Sequence, residues 1–471
     1  MHRPLFRMTA LRRGLIAPVL ALLCCDAAFA LGVSKGVYRI PYADGTQVRV
    51  GSDSVDHSPP GRIGLNGRGG GPYRIVAAAD GTVRHVVDGF DQRIDCRYLP
   101  VGEHRNNYVW IEHANGEWTK YTHMAKGSST AAGLKPGQFV KAGTVVGEEG
   151  DVGCATGDHL HFEVGVPKAR DGIAIVGGFL TGNAGSARNR IPRICGIAGS
   201  GFESGVSYDA RKVPGALPAG AMEIVRHGVA ARDFQCLFDQ AVSAGYVLDW
   251  INGFDVGGRV FYNAVFRPAG TMTAAFNGLT ASQYQHRFDD LTGKGYRPHL
   301  VDVYGTTGGL RYAAIFRRQD GPAFRAYHGL SADRHRQRVD AWTAEGYRPR
   351  AIAVASSGGE RHHAAIFEKV DIGHWQAEAH LDAGTYQKAF DANARAGRHL
   401  VYLDSYVHRG QPQFSAIWSS RADPGYSAGH GLSARQYEQA SQQAAAKGLR
   451  TRNVTGYAVG GSARYAAFWR R

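Results

Sequence analysis

The sequence predicts an α+β protein of two unlike parts. An antiparallel β-rich domain comes first, and five α/β repeats follow, each of helix, hairpin and strand, stacked as a solenoid or closed into a barrel-like or propeller-like array. Three observations carry this expectation. The texture of the chain changes near residue 200, where the Gly/Ser-rich stretch 196–207 and Lys212-Val213-Pro214-Gly215 interrupt any periodic pattern. Beyond it a glycine ending a helix-like segment recurs at Gly245, Gly295, Gly346, Gly397 and Gly448, in steps of 50, 51, 51 and 51 residues. Before it, Gly157-Asp158-His159-Leu160-His161-Phe162-Glu163-Val164 reads as a β-type run, and an antiparallel β-sheet core is expected around it. The expected division is 1–30, 31–200, a linker at 201–221, and 222–471 for the repeats.

Residues 1–30 read as a cleaved secretion signal. Arg3, Arg7, Arg12 and Arg13 precede the apolar run 15–25, and Ala28-Phe29-Ala30 has the small-residue spacing of a cleavage site. The product is therefore expected to be secreted or periplasmic. No later apolar run is long enough to span a bilayer. The whole chain carries a formal charge of +15, and the exported part stays strongly basic. That suits an anionic wall or surface polymer as partner and makes nucleic acid a poor one for an exported chain.

Cys96, Cys154, Cys195 and Cys236 remain after cleavage. An even number in an oxidising compartment favours two disulfides, with three pairings open. A Cys96–Cys154 bridge would brace the strand that follows Cys154. Cysteine ligation of a metal is disfavoured, because no Cys-x-x-Cys spacing occurs.

Between residues 31 and 200 the chemistry concentrates in His159-Leu160-His161. Side chains two apart on a strand share a face, so both imidazoles point the same way, as a zinc centre requires. Asp80-Gly81 and Asn115-Gly116 are expected at hairpin turns. His85, His104 and His113 have no such setting and read as ordinary core or surface histidines.

Four segments occur in a telling order: Asp56-His57-Ser58-Pro59, Ile75-Val76-Ala77-Ala78-Ala79-Asp80-Gly81-Thr82-Val83, Thr122-His123-Met124 and Gly157-Asp158-His159-Leu160-His161-Phe162-Glu163. With Leu134-Lys135-Pro136-Gly137, they resemble the lysostaphin/LytM-type zinc metallopeptidases that cut peptide cross-links of bacterial cell walls. The resemblance covers about residues 38–170. It implies His57 and His161 as zinc ligands, and His123 and His159 as the pair that positions and deprotonates the attacking water. It also implies an acidic ligand after Arg62-Ile63, where this chain has Gly64. Asp53, Asp56 and Asn66 are the nearest substitutes. Three functions follow: a zinc endopeptidase acting on peptidoglycan or other glycine- and alanine-rich peptides, a degenerate relative that binds peptidoglycan or activates a partner hydrolase, or a surface-binding repeat protein.

In each repeat Thr280, Ser331, Asp382 and Ser433 are the expected helix caps. Tyr284, Tyr386, Phe316 and Trp418 recur at helical or strand positions and read as core. Tyr296-Arg297-Pro298, Tyr347-Arg348-Pro349, His328 and His430 could line a surface. These copies resemble the bacterial tandem repeat domain found beside serine-hydrolase domains in polyglycine hydrolases, which implies an accessory module and names no ligand.

Overall fold

The computed structural model describes residues 31–95, 99–100, 105–168, 175–176, 178–180, 187–197, 201–212, 217 and 220–471. The expected signal peptide, Cys96, His104 and Pro214 lie outside these residues.

The first part is built of β1 (Val33–Tyr38), β2 (Gln47–Ser52), β3 (Arg62–Arg68), β4 (Arg74–Val76), β5 (Gly81–Val87), β6 (Tyr108–Glu112) and β7 (Trp118–Thr122). A short helix α1 (Ser128–Ala131) is followed by β8 (Phe139–Val140), β9 (Val145–Glu148), β10 (Leu160–Gly165), β11 (Ile175–Val176), β12 (Phe179–Leu180), β13 (Asn189–Ile194) and β14 (Ser207–Asp209). The main sheet runs β14-β2-β3-β10-β7-β6-β5-β8, and β13 joins β10 antiparallel and β1 parallel. Ile63, Leu65, Val109, Ile111, Tyr121, Leu160, Phe162 and Val164 pack one face of it into a core. Alternation then sends the polar residues between them to the other face, which is where the site forms.

Asn115-Gly116 makes the β6–β7 hairpin, with Gly116 at φ 80°. Asp80-Gly81 does not make one: β4 pairs with β9, whereas β5 pairs with β6 and β8. Its glycine answers a different need, because a Cβ on Gly81 would sit 2.4 Å from the Glu112 carbonyl oxygen.

The repeats differ from expectation in phase. The short strand Phe324–Leu330 pairs with Glu360–Glu368, the second arm of the hairpin that follows its helix, and Thr273–Leu279 pairs likewise with Gly309–Arg317. The unit is therefore strand, helix, hairpin. Each helix has 13 residues and ends before a glycine of positive φ, at Gly245, Gly295, Gly346, Gly397 and Gly448. Thr280, Asp382 and Ser433 cap through their side chains, whereas Ser331 makes no side-chain cap bond. Tyr284, Phe316, Tyr386 and Trp418 are core, as their period predicts. His328 packs against Tyr284 and Tyr312, and His430 against Tyr386 and Phe414, and both stay half-buried.

The five three-stranded sheets are separate, so the array is not one closed barrel. They meet instead through their inner strands, Tyr246–Val256, Arg297–Thr306, Arg348–Ser357, His399–His408 and Arg450–Val459. Each inner strand touches the next, and the last touches the first. The ring closes through Gly456 N donating to Asn252 Oδ1 (2.8 Å) and Trp250 Nε1 donating to Val454 O (2.8 Å).

A repeated polar position holds the axis. Asp302 Oδ2 accepts from Gly253 N (2.7 Å), Asp404 Oδ2 from Val354 N (3.2 Å) and Thr455 Oγ1 from Ser405 N (3.0 Å). The fifth counterpart, Ala353, has no such acceptor. Asn252 Nδ2 reaches both Asp302 Oδ1 (3.4 Å) and Asp404 Oδ1 (3.3 Å).

The two parts are fastened by a disulfide between Cys195, just after β13, and Cys236 in the helix Ala231–Ser243. Closing a loop of 41 residues contributes about 4 kcal/mol by chain entropy. Arg211–Asp233 (3.1 Å) and Arg193 donating to the Asp239 carbonyl (3.3 Å) flank it.

Candidate metallopeptidase site

The polar face of β3, β10 and β7 carries two parallel rows. Register places Gly64 opposite His161 and His161 opposite Thr122 in one row, and Arg62, Glu163 and Lys120 in the next. Residues directly opposite in a ladder share a face. His159 lies two residues before His161 on the same face.

His57, His123, His159 and His161 line a single cavity of about 670 Å³, together with Ser52, Gly64, Asn66 and Phe179. Ring centroids are 4.6 Å apart for His57 and His161, 4.7 Å for His123 and His159, and 5.5 Å for His123 and His161. The four histidines singled out in the sequence are thus brought together. Of the substitute acids, neither Asp53 nor Asp56 lines the cavity. Asp53 is used in its own turn, accepting from Val55 N, Asp56 N and Ser204 N. Asn66 does line it, with its Nδ2 donating to Asp158 O (2.9 Å), which turns Oδ1 the other way.

Three imidazoles have Nδ1 tied back to a carbonyl: His57 to Pro59 O (3.0 Å), His123 to Val152 O (2.8 Å) and His159 to Gly157 O (2.8 Å). A carbonyl only accepts, so Nδ1 carries the proton and Nε2 keeps its lone pair. Burial pushes His123 down to about 3, helped by His159. Burial also holds His161 well below the usual histidine range, with His123 and His57 adding to the effect, and it lowers His57. These three rings are neutral at neutral pH. His123 is held in the left-handed region at φ 69°, a conformation that costs a non-glycine residue about 1–3 kcal/mol.

The donor set fits a metal in one respect and falls short in another. His161 Nε2 is buried without a hydrogen-bond partner, a polar atom that, in the tautomer protonated on Nδ1, a cation would satisfy. Among the described residues, however, no three His, Cys, Asp or Glu side chains converge as a cage. At the position facing His161 there is only the hydrogen of Gly64.

Beneath the histidines lies a charged row that the sequence reading missed. Lys120, 1% exposed, reaches Glu163 at 3.0 Å, and Arg62 reaches the same carboxylate at 3.7 Å. Asn189 Nδ2 also donates to Glu163 (2.6 Å). Lys120 Nζ lies 3.8 Å over the Phe179 ring. Burial pushes the Lys120 ammonium down to about 8 against the pull of Glu163. The available signal was spacing: Lys120 and Glu163 each fall two residues from a site position inside an apolar strand. Cys154, which lines the cavity, is disulfide-bonded. His113, by contrast, is a satisfied core residue, bonded to Asp80 O and Thr119 Oγ1.

Comparison with known proteins agrees with both halves. Residues 64–172 match Peptidase family M23. Residues 223–269, 272–319, 321–370, 372–421 and 423–471 each match the polyglycine hydrolase-like structural repeat. The chain is similar to two proteins of Vibrio cholerae serotype O1: peptidoglycan DD-endopeptidase ShyC, 42% identical over 57 residues, and peptidoglycan DD-endopeptidase ShyA, 41% identical over 58. Each match covers 12% of this chain and 12% of the relative, so the chain spans about an eighth of their length. Among solved structures, the catalytic domain of lysostaphin from Staphylococcus simulans is 21% identical, with a TM-score of 0.17 over 27% of this chain and 79% of that one. A TM-score of that size carries no argument, so the assignment rests on the sequence matches. The five repeat matches together cover more than half of the chain. The chain therefore belongs to the proteins built on polyglycine hydrolase-like structural repeats, and carries ahead of them a peptidase domain of family M23, the LytM/lysostaphin type.

Proposed function

We propose that this protein is a secreted zinc metalloendopeptidase that hydrolyses peptide cross-links of the bacterial cell wall, or similar glycine- and alanine-rich peptides, with the repeats directing it to its target. The observation that carries this reading is the meeting of four histidines in one cavity, with three Nδ1 atoms anchored and His161 Nε2 left without a partner.

His57 and His161 would hold zinc, with the side-chain oxygen of Asn66 as a neutral third donor. When bound, zinc supplies a Lewis acid for the peptide carbonyl and makes water acidic enough to attack near neutral pH. The protein's own part is proton handling and positioning. His159 and His123, anchored through Nδ1, present Nε2 to take a proton from water and return it to the leaving amine. Protonated, either ring donates to the developing oxyanion. Gly51, Ser52, Gly64 and Gly157 line the cavity with little side-chain bulk, which favours small residues beside the scissile bond.

A second reading has a specific observation behind it. Gly64 opposite His161 removes the expected carboxylate, as in a non-catalytic relative that binds peptidoglycan or activates a partner hydrolase. One experiment separates the two: zinc per chain by elemental analysis, with release of peptide fragments from purified cross-linked peptidoglycan, for wild type and His161→Ala. About one zinc and cleavage, both lost in the variant, support the peptidase. Peptidoglycan binding with no zinc uptake and no cleavage establishes the second reading.

A further inference from the structure

The two ends of the repeat ring are chemically opposite. Each inner strand begins at one end and closes its hairpin at the other. At the hairpin end, a cavity of about 670 Å³ is lined by Tyr304, Ser356, Ser405, Tyr406 and Tyr457, with no lysine or arginine. At the other end, a basin of about 550 Å³ is lined by Arg317, Arg348, Arg350, Arg452 and Arg470.

The basin follows from the repeat. Asp249, His299, Arg350, Val401 and Arg452 are equivalent positions near the start of the inner strands, and Arg267, Arg317, Glu368, Ser419 and Arg470 are equivalent positions near the end of the third strands. The two sets interleave around one mouth. Its carboxylates are already engaged: Asp249 by Arg267 (2.7 Å), Arg317 and His299 (3.5 Å), and Glu368 by Arg297 (3.3 Å) and Arg350 (3.1 Å). Arg348, Arg452 and Arg470 form no ion pair with an Asp or Glu side chain among the described residues. Arg348 donates to Thr343 O (2.9 Å) and Tyr347 O (2.9 Å), Arg470 to Leu400 O, and Arg452 to Arg471 O. Arg470 Nε is buried with no partner at all. Burial depresses both Arg452 and Arg470, and each is lowered further by a neighbouring arginine, against a partial upward pull from Asp249 and Glu223 on Arg452 and from Asp423 on Arg470. At the floor, Trp250 and Tyr402 from opposite sides of the ring lie 5.8 Å apart.

From the three guanidiniums that no Asp or Glu side chain neutralises by an ion pair, converging over an aromatic floor, we infer that this basin binds a sugar bearing an oxyanion, either a carboxylate or a phosphate. Guanidinium forks match the planar or tetrahedral oxyanion, and the aromatic rings take the apolar face of the sugar. The basin lies in the repeats, so this site stands whether or not the histidine cavity is catalytic.

The test is calorimetric titration of the full-length oxidised protein with glucuronate, glucose 6-phosphate and glucose. At least one of the two anions is expected to bind at least tenfold tighter than glucose, weakening in 0.5 M salt, and the tighter anion names the source. Arg452→Ala/Arg470→Ala is expected to lose at least tenfold, with Arg336→Ala on an exposed helix face unchanged. Equal binding of glucose, absence of binding by both anions, or undiminished binding in a normally melting double variant overturns the inference. If the double variant melts early, Arg348→Ala decides in its place: weakened anion binding supports the site and unchanged binding overturns it.

Discussion

Across the β3–β10 ladder His161 stands directly opposite Gly64, so the neighbour nearest to hand for its orphaned Nε2 has no side chain to offer. Two single changes would supply a carboxylate. A Cβ on Gly64 would lie 3.0 Å from Ser52 Oγ, which can rotate away. Asn66→Asp keeps the side chain's size but gives up the bond to Asp158 O.

We expect wild type to bind zinc weakly, and Gly64→Asp or Asn66→Asp to tighten binding by about tenfold or more, since an anionic oxygen replaces a hydrogen or a neutral amide. Competition against a chelating dye measures it. If both variants match wild type, the carboxylate is not what the site lacks.

His161→Ala and His123→Ala should separate holding from proton transfer. His161→Ala is expected to abolish zinc uptake. His123→Ala should keep it while cleavage falls by about 10²–10⁴. Parallel loss of zinc in both would place His123 among the ligands instead.

Glu163 neutralises the buried Lys120 and the half-buried Arg62, so Glu163→Gln should destabilise the first domain by about 3–5 kcal/mol, the cost of stranding the Lys120 charge. Denaturant unfolding reads this out. A change below about 1 kcal/mol would mean that water reaches Lys120.

The ring axis should respond to pH in the opposite sense from most carboxylates. Burial pushes the Asp404 carboxyl up to about 7 from an ordinary 3.8, and Asp302 is raised by burial and by Asp404 beside it. Between those values the folded chain keeps a proton that the unfolded chain loses, so stability falls as pH rises from about 4 to 7. The melting temperature of wild type relative to Asp404→Asn should therefore drop from pH 5 to pH 8. A constant difference would show that the pair is ionised throughout.

His159 and His161 and the five repeats were legible because both are local patterns, alternate residues in a β-type run and glycines at a fixed step, whereas His57 and His123 came only from the ordered motifs of the family resemblance. What escaped was set by pairing over long separations. The phase of the repeat depends on Phe324–Leu330 reaching past its own helix to Glu360–Glu368. Ring closure depends on Asn252 meeting Gly456, 204 residues away. Asp302 and Asp404 look in sequence like the solvent-facing residues of alternating strands, and only closure buries them. Lys120 and Glu163 were passed over for the same reason, since each needs the other strand to justify it.

The Cys195–Cys236 bridge spans the whole stretch between the two parts. A single proteolytic cut anywhere from residue 196 to residue 235 would leave the halves joined as one molecule until a thiol is added. The bond makes the pairing of the two parts tolerant of nicking: the ring can lose its peptide connection to the domain that carries the histidine cavity and still be joined to it.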